Sequence, residues 1–273
     1  MNNKIIAKVV GLVVVLAVVI GLGLIAKAPA RSALADMREQ VTPTAGVELP
    51  VVWGDLTEQL IATGIIDQTK LNPAKITATT GGRIMITKDN AKEVLNLLWA
   101  LGLANNNRIL TAGPMTDEQY GGDPSRFAST GGWTLAVGEG MDHYAKHELI
   151  TLTPAQQLLV ESVSRNVYRP CCDNPTHFPD CNHGLAMLGL LELGASQGLN
   201  EEELYQLALV ANRFWFPDTY LTIAQYFGQL GQDWQSVEPR VILGADYSSG
   251  SGFAKIKEQV VRSERGLGTS CGV

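Results

Sequence analysis

The chain has 273 residues, 45% of them hydrophobic and 18% charged, with a formal net charge of −6. That length supports a real hydrophobic core, and the lack of any Lys/Arg-rich run argues against nucleic acid as a partner. Four cysteines are too few for a disulfide-built scaffold, so their placement matters more than their number.

Lys4 and Lys8 precede an uncharged apolar run from Val9 to Ala26, which Lys27 closes. In a helix this 18-residue run spans about 27 Å, enough for the hydrocarbon core of a bilayer. Residues 9–26 therefore read as a transmembrane signal anchor behind a short cytoplasmic tail, 1–8, with the main domain extracytoplasmic. The alternative is a cleaved signal peptide and a secreted domain, with small residues at Ala28 and Ala30 or at Ala33 and Ala35. Residues 27–50 read as a linker punctuated by Pro43 and Pro50. Residues 51–262 then form a single globular domain, and 263–273 a Gly-rich tail.

Within the domain, Asp55 is placed to cap a helix carrying Leu56, Leu60 and Ile61 on one face, with Gly64 as its stop. Residues 75–87, KITATTGGRIMIT, are β-rich around a Thr-Gly-Gly turn and predict a hairpin. The run from Asp89 to Leu101 has apolar residues at helical spacing, and Gly102 reads as its end. Asn105 to Gly140 is broken by Gly and Pro into short pieces. Pro154 opens a helix with the stripe Leu158, Leu159 and Val163. Gly184 to Gly198 is apolar apart from Glu192 and reads as a buried helix. Asn200 caps the next, and Pro217 divides it from another. The residues VILGA after Pro239 predict a strand or turn, DYSSGSG (246–252) a flexible loop, and AKIKEQVVRS a last helix. The fold class is mainly α with a minor β-hairpin.

Chemistry concentrates in residues 141–198. All four histidines and three of the four cysteines lie there. His143 and His147 stand at i and i+4, which on a helix places two imidazoles on one face, as a shared metal ion requires. Cys171, Cys172, His177, Cys181 and His183 follow with the spacing C-C-x4-H-x3-C-x-H. Thiolate and imidazole suit zinc or copper, although the spacing is not that of a common structural zinc site. Met187 is better read as core than as an axial ligand. Outside the cytoplasm the same cysteines could pair, Cys171 or Cys172 with Cys181 and the remaining thiol with Cys271.

Asp180 to Leu188, DCNHGLAML, resembles the nucleophile helix of papain-like peptidases over about a dozen residues. The resemblance implies Cys181 as a thiolate activated at a helix N-terminus. The family places its base histidine well downstream on β-strands, whereas no histidine follows His183, so a permuted site would have to use His143 or His147. The leading reading is a membrane-anchored, extracytoplasmic metal-binding protein. Its ligands would be Cys171, Cys172, Cys181 and His183, with His177, His143 and His147 in the same site or a second one. The alternatives are a thiol–disulfide redox protein using Cys171/Cys172 and Cys181, and a disulfide-held structural or interaction domain.

Overall fold

The computed structural model describes residues 33–71 and 82–266, with side chains placed as far as residue 261. The expected membrane anchor, the tail before it and Cys271 lie outside the described residues. Among the described residues no helix is long and apolar enough to cross a membrane. The chain divides into two units, residues 1–41 and 42–273. The described part of the first is helix α1, residues 33–41. The second is mainly helical with one small antiparallel sheet.

That sheet corrects the sequence reading. Strand β1 (Val47–Val52) pairs with β2 (Arg83–Ile86), Val47 opposite Ile86 and Val52 opposite Arg83, with an irregularity between Glu48 and Val52. The hairpin expected over 75–87 lies largely outside the described residues; the strand it shares with them takes its partner from a segment read as linker. Alternation explains the pairing: Leu49, Val51, Ile84 and Ile86 turn into the core while their neighbours face outward. Pro50 disguised β1, yet it falls in the irregular stretch of an edge strand, where proline is tolerated. Gln197 fastens the end of β1, accepting from Val52 N at 2.8 Å and donating to Val52 O at 2.7 Å.

Two longer helices come next, α2 (Leu56–Ala62) and α3 (Ala91–Ala104). Asp55 precedes α2 but accepts from the Gln59 side chain instead of capping the backbone. The loop-rich stretch holds α4 (Arg108–Thr111), three 3-10 turns between residues 114 and 126, and α5 (Ala128–Gly131), and it ends where α6 (Gly140–His143) begins. Then follow α7 (Pro154–Ser164), α8 (Asn182–Ser196), α9 (Glu201–Trp215) and α10 (Pro217–Gln229). Thr153 with Gln156, and Asn200 with Glu203, form reciprocal capping boxes at α7 and α9, each satisfying two backbone donors. On α7 the buried residues are Val160, Val163 and Ser164, while Leu158 is 63% exposed. The VILGA segment (241–245), expected as a strand or turn, instead runs from the end of α11 (Pro239–Ile242), which proline opens at its first position, to the start of the next helix. The expected loop at 246–252 is instead α12 (Ala245–Ser248) and the start of α13 (Gly250–Gly266).

Helices α3 and α8 form the most extensive contact of the fold. All residues of α8 from Gly184 to Ala195 are buried, as the apolar run predicts. Gly102 does not end α3, because it is a packing residue. A Cβ there would stand 1.9 Å from Leu185 O, and one on Gly189 would stand 2.6 Å from Leu98 O. The two backbones approach so closely that only glycine fits on either side. Gly102→Ala should cost about 1–3 kcal/mol through forced separation of the helices, measurable by denaturant unfolding.

Glu192 is fully buried in α8. Asn105 Nδ2 donates to its Oε2 at 2.9 Å, and Asn105 Oδ1 accepts from the backbone N–H of Leu149 and Ile150. Burial pushes the Glu192 carboxyl up to about 8. It stays protonated in the fold at pH values where the unfolded chain ionises it. The stability it lends is complete below its ordinary range and is lost as pH rises toward about 8. Glu192→Gln should flatten the fall in melting temperature between about pH 5 and 8, followed by thermal unfolding across that range.

Candidate metal centre

After α7 the chain doubles back. Thr176 N–H donates to Val167 O at 2.8 Å and His177 N–H to Ser164 O at 3.0 Å. The loop between these bonds carries Cys171 and Cys172 to Cys181, the N-cap residue of α8. The three sulfurs all lie within 4.8 Å of one another, with Cys171 Sγ and Cys181 Sγ 3.6 Å apart. All three are free thiols; Cys171 is exposed, and Cys172 and Cys181 are half-buried.

Neighbouring elements hold the loop in place. Ser129 N–H, on α5, donates to Asp180 O at 3.1 Å. Gly250 N–H at the start of α13 donates to Cys172 O at 2.9 Å, and Ser251 N–H to Asp173 Oδ1 at 2.7 Å. Asn174 Nδ2 donates to Asp180 Oδ2 at 2.9 Å.

Arg169 forms the floor of the site and is fully buried. Its Nη2 donates to Asp180 Oδ1 at 3.1 Å, to Cys172 Sγ at 3.3 Å and to Phe178 O at 3.4 Å. Its Nε and Nη1 are buried with no hydrogen-bond partner. The guanidinium lies against the first turn of α8, where a Cβ on Gly184 would come 3.0 Å from Nη2 and 2.8 Å from Pro179 Cα. Burial works against the charge of Arg169, but Cys181, Cys172, Cys171 and Asp180 outweigh it and favour the cation.

The thiols titrate together. Cys181 is lowered well below the ordinary thiol range, first because Cys171 and then because Cys172 donates to its sulfur, with His183 and Arg169 adding to the effect. Cys171 is correspondingly raised, because it shares its proton with Cys172 and Cys181. Loss of one proton from the trio therefore leaves a negative charge that the sulfurs share, beside the positive end of α8.

The histidines divide among three places. His183 neighbours Cys181 and packs on Phe216 and Trp215, with ring centres 4.5 and 5.9 Å away. His177 sits beside Ser164, its Nδ1 3.4 Å from the hydroxyl, and is lowered by burial and by Arg165. His143 and His147 meet each other, Nδ1 to Nε2 at 3.2 Å, while His143 Nε2 donates to Val137 O at 3.2 Å. They do so without the expected helix: α6 ends at His143 and Ala145 takes a positive φ of 53°. No histidine joins the three cysteines in a common ligand group among the described residues. The base that the peptidase resemblance would need from His143 or His147 is thus absent from the groups that shift Cys181. Met187 is fully buried in the core.

Sequence reasoning missed Arg169. Its one signal is its place in YRPCC, two residues before a cysteine pair, and a lone arginine there reads as surface. No protein-family model, curated protein or solved structure matches this chain. Arg169→Met should destabilise the fold by about 1–3 kcal/mol, because the half-buried Asp180 and Phe178 O lose a donor while Asn174 still holds the carboxylate. Denaturant unfolding of the reduced protein checks this.

Proposed function

We propose that this is a metal-binding protein whose ligands are Cys171, Cys172 and Cys181, with His183 beside them. The observation that supports it is the convergence of three free sulfurs within 4.8 Å, near enough for one thiophilic ion to bridge all three. Zinc and copper are the ions the donor set first suggests. Arg169, Asp180 and Asn174 hold the loop in place, as groups behind metal ligands do. The apolar run at 9–26 would tether the domain to a membrane, with the thiols on the extracytoplasmic side, or be cleaved to release it. Handling or sensing of a metal ion is the role this arrangement suits.

The 3.6 Å approach of Cys171 and Cys181 favours a second reading, in which these two close to a disulfide and Cys172 serves as the exchanging thiol.

Elemental analysis of the reduced protein, with free thiols counted before and after chelation, separates the readings. Metal binding requires a stoichiometric ion that Cys171→Ser or Cys181→Ser abolishes. A protein without metal whose Cys171 and Cys181 oxidise reversibly as a pair would replace it with the redox reading.

A further inference from the structure

We infer that the Cys171, Cys172 and Cys181 site is built for a trivalent, three-coordinate thiophilic ion of the arsenite class, bound as a neutral pyramidal tris-thiolate. This deepens the metal-binding reading and rests on it.

Three observations lead there. The first is the ligand number. Among the described residues the three sulfurs form a group of their own: Asp180 Oδ1 stands 3.8 Å from Cys172 Sγ and the His183 side chain meets Cys181, yet no histidine or carboxylate atom lies within 4.8 Å of all three. Asp180, the nearest carboxylate in the loop, has Oδ1 committed to Arg169 and Oδ2 to Asn174. Zinc completes a tetrahedron with a fourth ligand, whereas a trivalent arsenic centre is satisfied by three sulfurs and keeps a lone pair on its open side. Cys171, the exposed member, leaves such a side.

The second is charge. Arg169 and Asp180 already form an ion pair at 3.1 Å, with the arginine fully buried, so the protein groups around the sulfurs sum to zero. Three thiolates with a trivalent ion keep that sum at zero. With Zn(II) the site would carry one negative charge, and with Cu(I) two, beside partly desolvated groups where unbalanced charge is costly.

The third is spacing. A pyramidal centre draws its sulfurs together, and the 3.6 Å contact between Cys171 and Cys181 already has them adjacent without a bond.

The reaction needs no oxidant or reductant. Arsenous acid, As(OH)3, exchanges three hydroxides for three sulfurs; each As–O bond is replaced by an As–S bond, and each thiol proton leaves with a hydroxide as water. The products are As(SR)3 and three waters, with arsenic trivalent throughout.

The test titrates the reduced full-length protein in parallel with sodium arsenite, Zn(II) and Cu(I). Bound stoichiometry, the number of thiols lost and the intact mass are the readouts. The inference expects one arsenic per chain, the joint loss of three thiols, and a mass gain of one arsenic less three hydrogens. It expects a weakening on the order of 100-fold in each of Cys171→Ser, Cys172→Ser and Cys181→Ser, with circular dichroism confirming that each variant is folded. Affinity should also fall when the protein is unfolded in denaturant, because the site is assembled by the fold. Arsenite held by two thiols only, or equally well by the unfolded chain, overturns the inference. Stoichiometric Zn(II) or Cu(I) on the three cysteines without arsenite overturns it too, yet leaves the metal-binding reading standing. Failure of all three ions to bind defeats both.

Discussion

The contact of α3 with α8 through Gly102 and Gly189 is the constraint on which the rest of the molecule depends. It brings two backbones closer than any side chain permits, and so fixes the depth at which α8 lies in the core. Each leucine buried along α8 contributes about 1.5–3 kcal/mol, and that burial requires the approach. Cys181 caps α8, so the position of one sulfur is set by packing at the helix centre. Glu192, on the same helix, is tolerated because Asn105 at the end of α3 reaches across to it.

The other two sulfurs arrive by a different route, on a loop with no regular structure of its own. Arg169 organises it. One nitrogen of the guanidinium is shared by a carboxylate, a carbonyl and a sulfur, and the first turn of α8 has a glycine where the guanidinium lies. A rigid helix and a tethered loop thus meet at three thiols. Rigid support for donor atoms is what distinguishes a site from a coincidence of cysteines.

Much of this was legible in the sequence. Helical spacing of apolar residues marked α3, the unbroken apolar run marked α8, which is buried on every side from Gly184 to Ala195, and Pro217 divided α9 from α10. Asn200 with Glu203 announced its helix by local chemistry alone. The clustering of cysteines was visible as well, since Cys171 and Cys172 are adjacent and Cys181 lies within one loop of them. What stayed hidden depends on distant partners. Gly102 looks like a helix stop until Leu185 and Gly189 are placed against it. β1 looks like a linker until β2 supplies the opposite edge. The four histidines share a stretch of sequence but not a place in space: His143 and His147 meet each other although the helix expected over them breaks at Ala145, while His177 lies beside Ser164 and His183 on Phe216. Arg169 has no pattern at all, and its role exists only once the chain has turned back on Asp180.

The bonds from Gly250 and Ser251 to Cys172 O and Asp173 Oδ1 join the cysteine loop to the origin of a 17-residue helix. Coupling between two such places is reciprocal. An ion that stiffened the loop would steady the seat of α13, and anything that grasped α13 would alter, by the same factor, how firmly the thiols held their ion. The C-terminal helix is in that sense a lever whose fulcrum is the sulfur cluster.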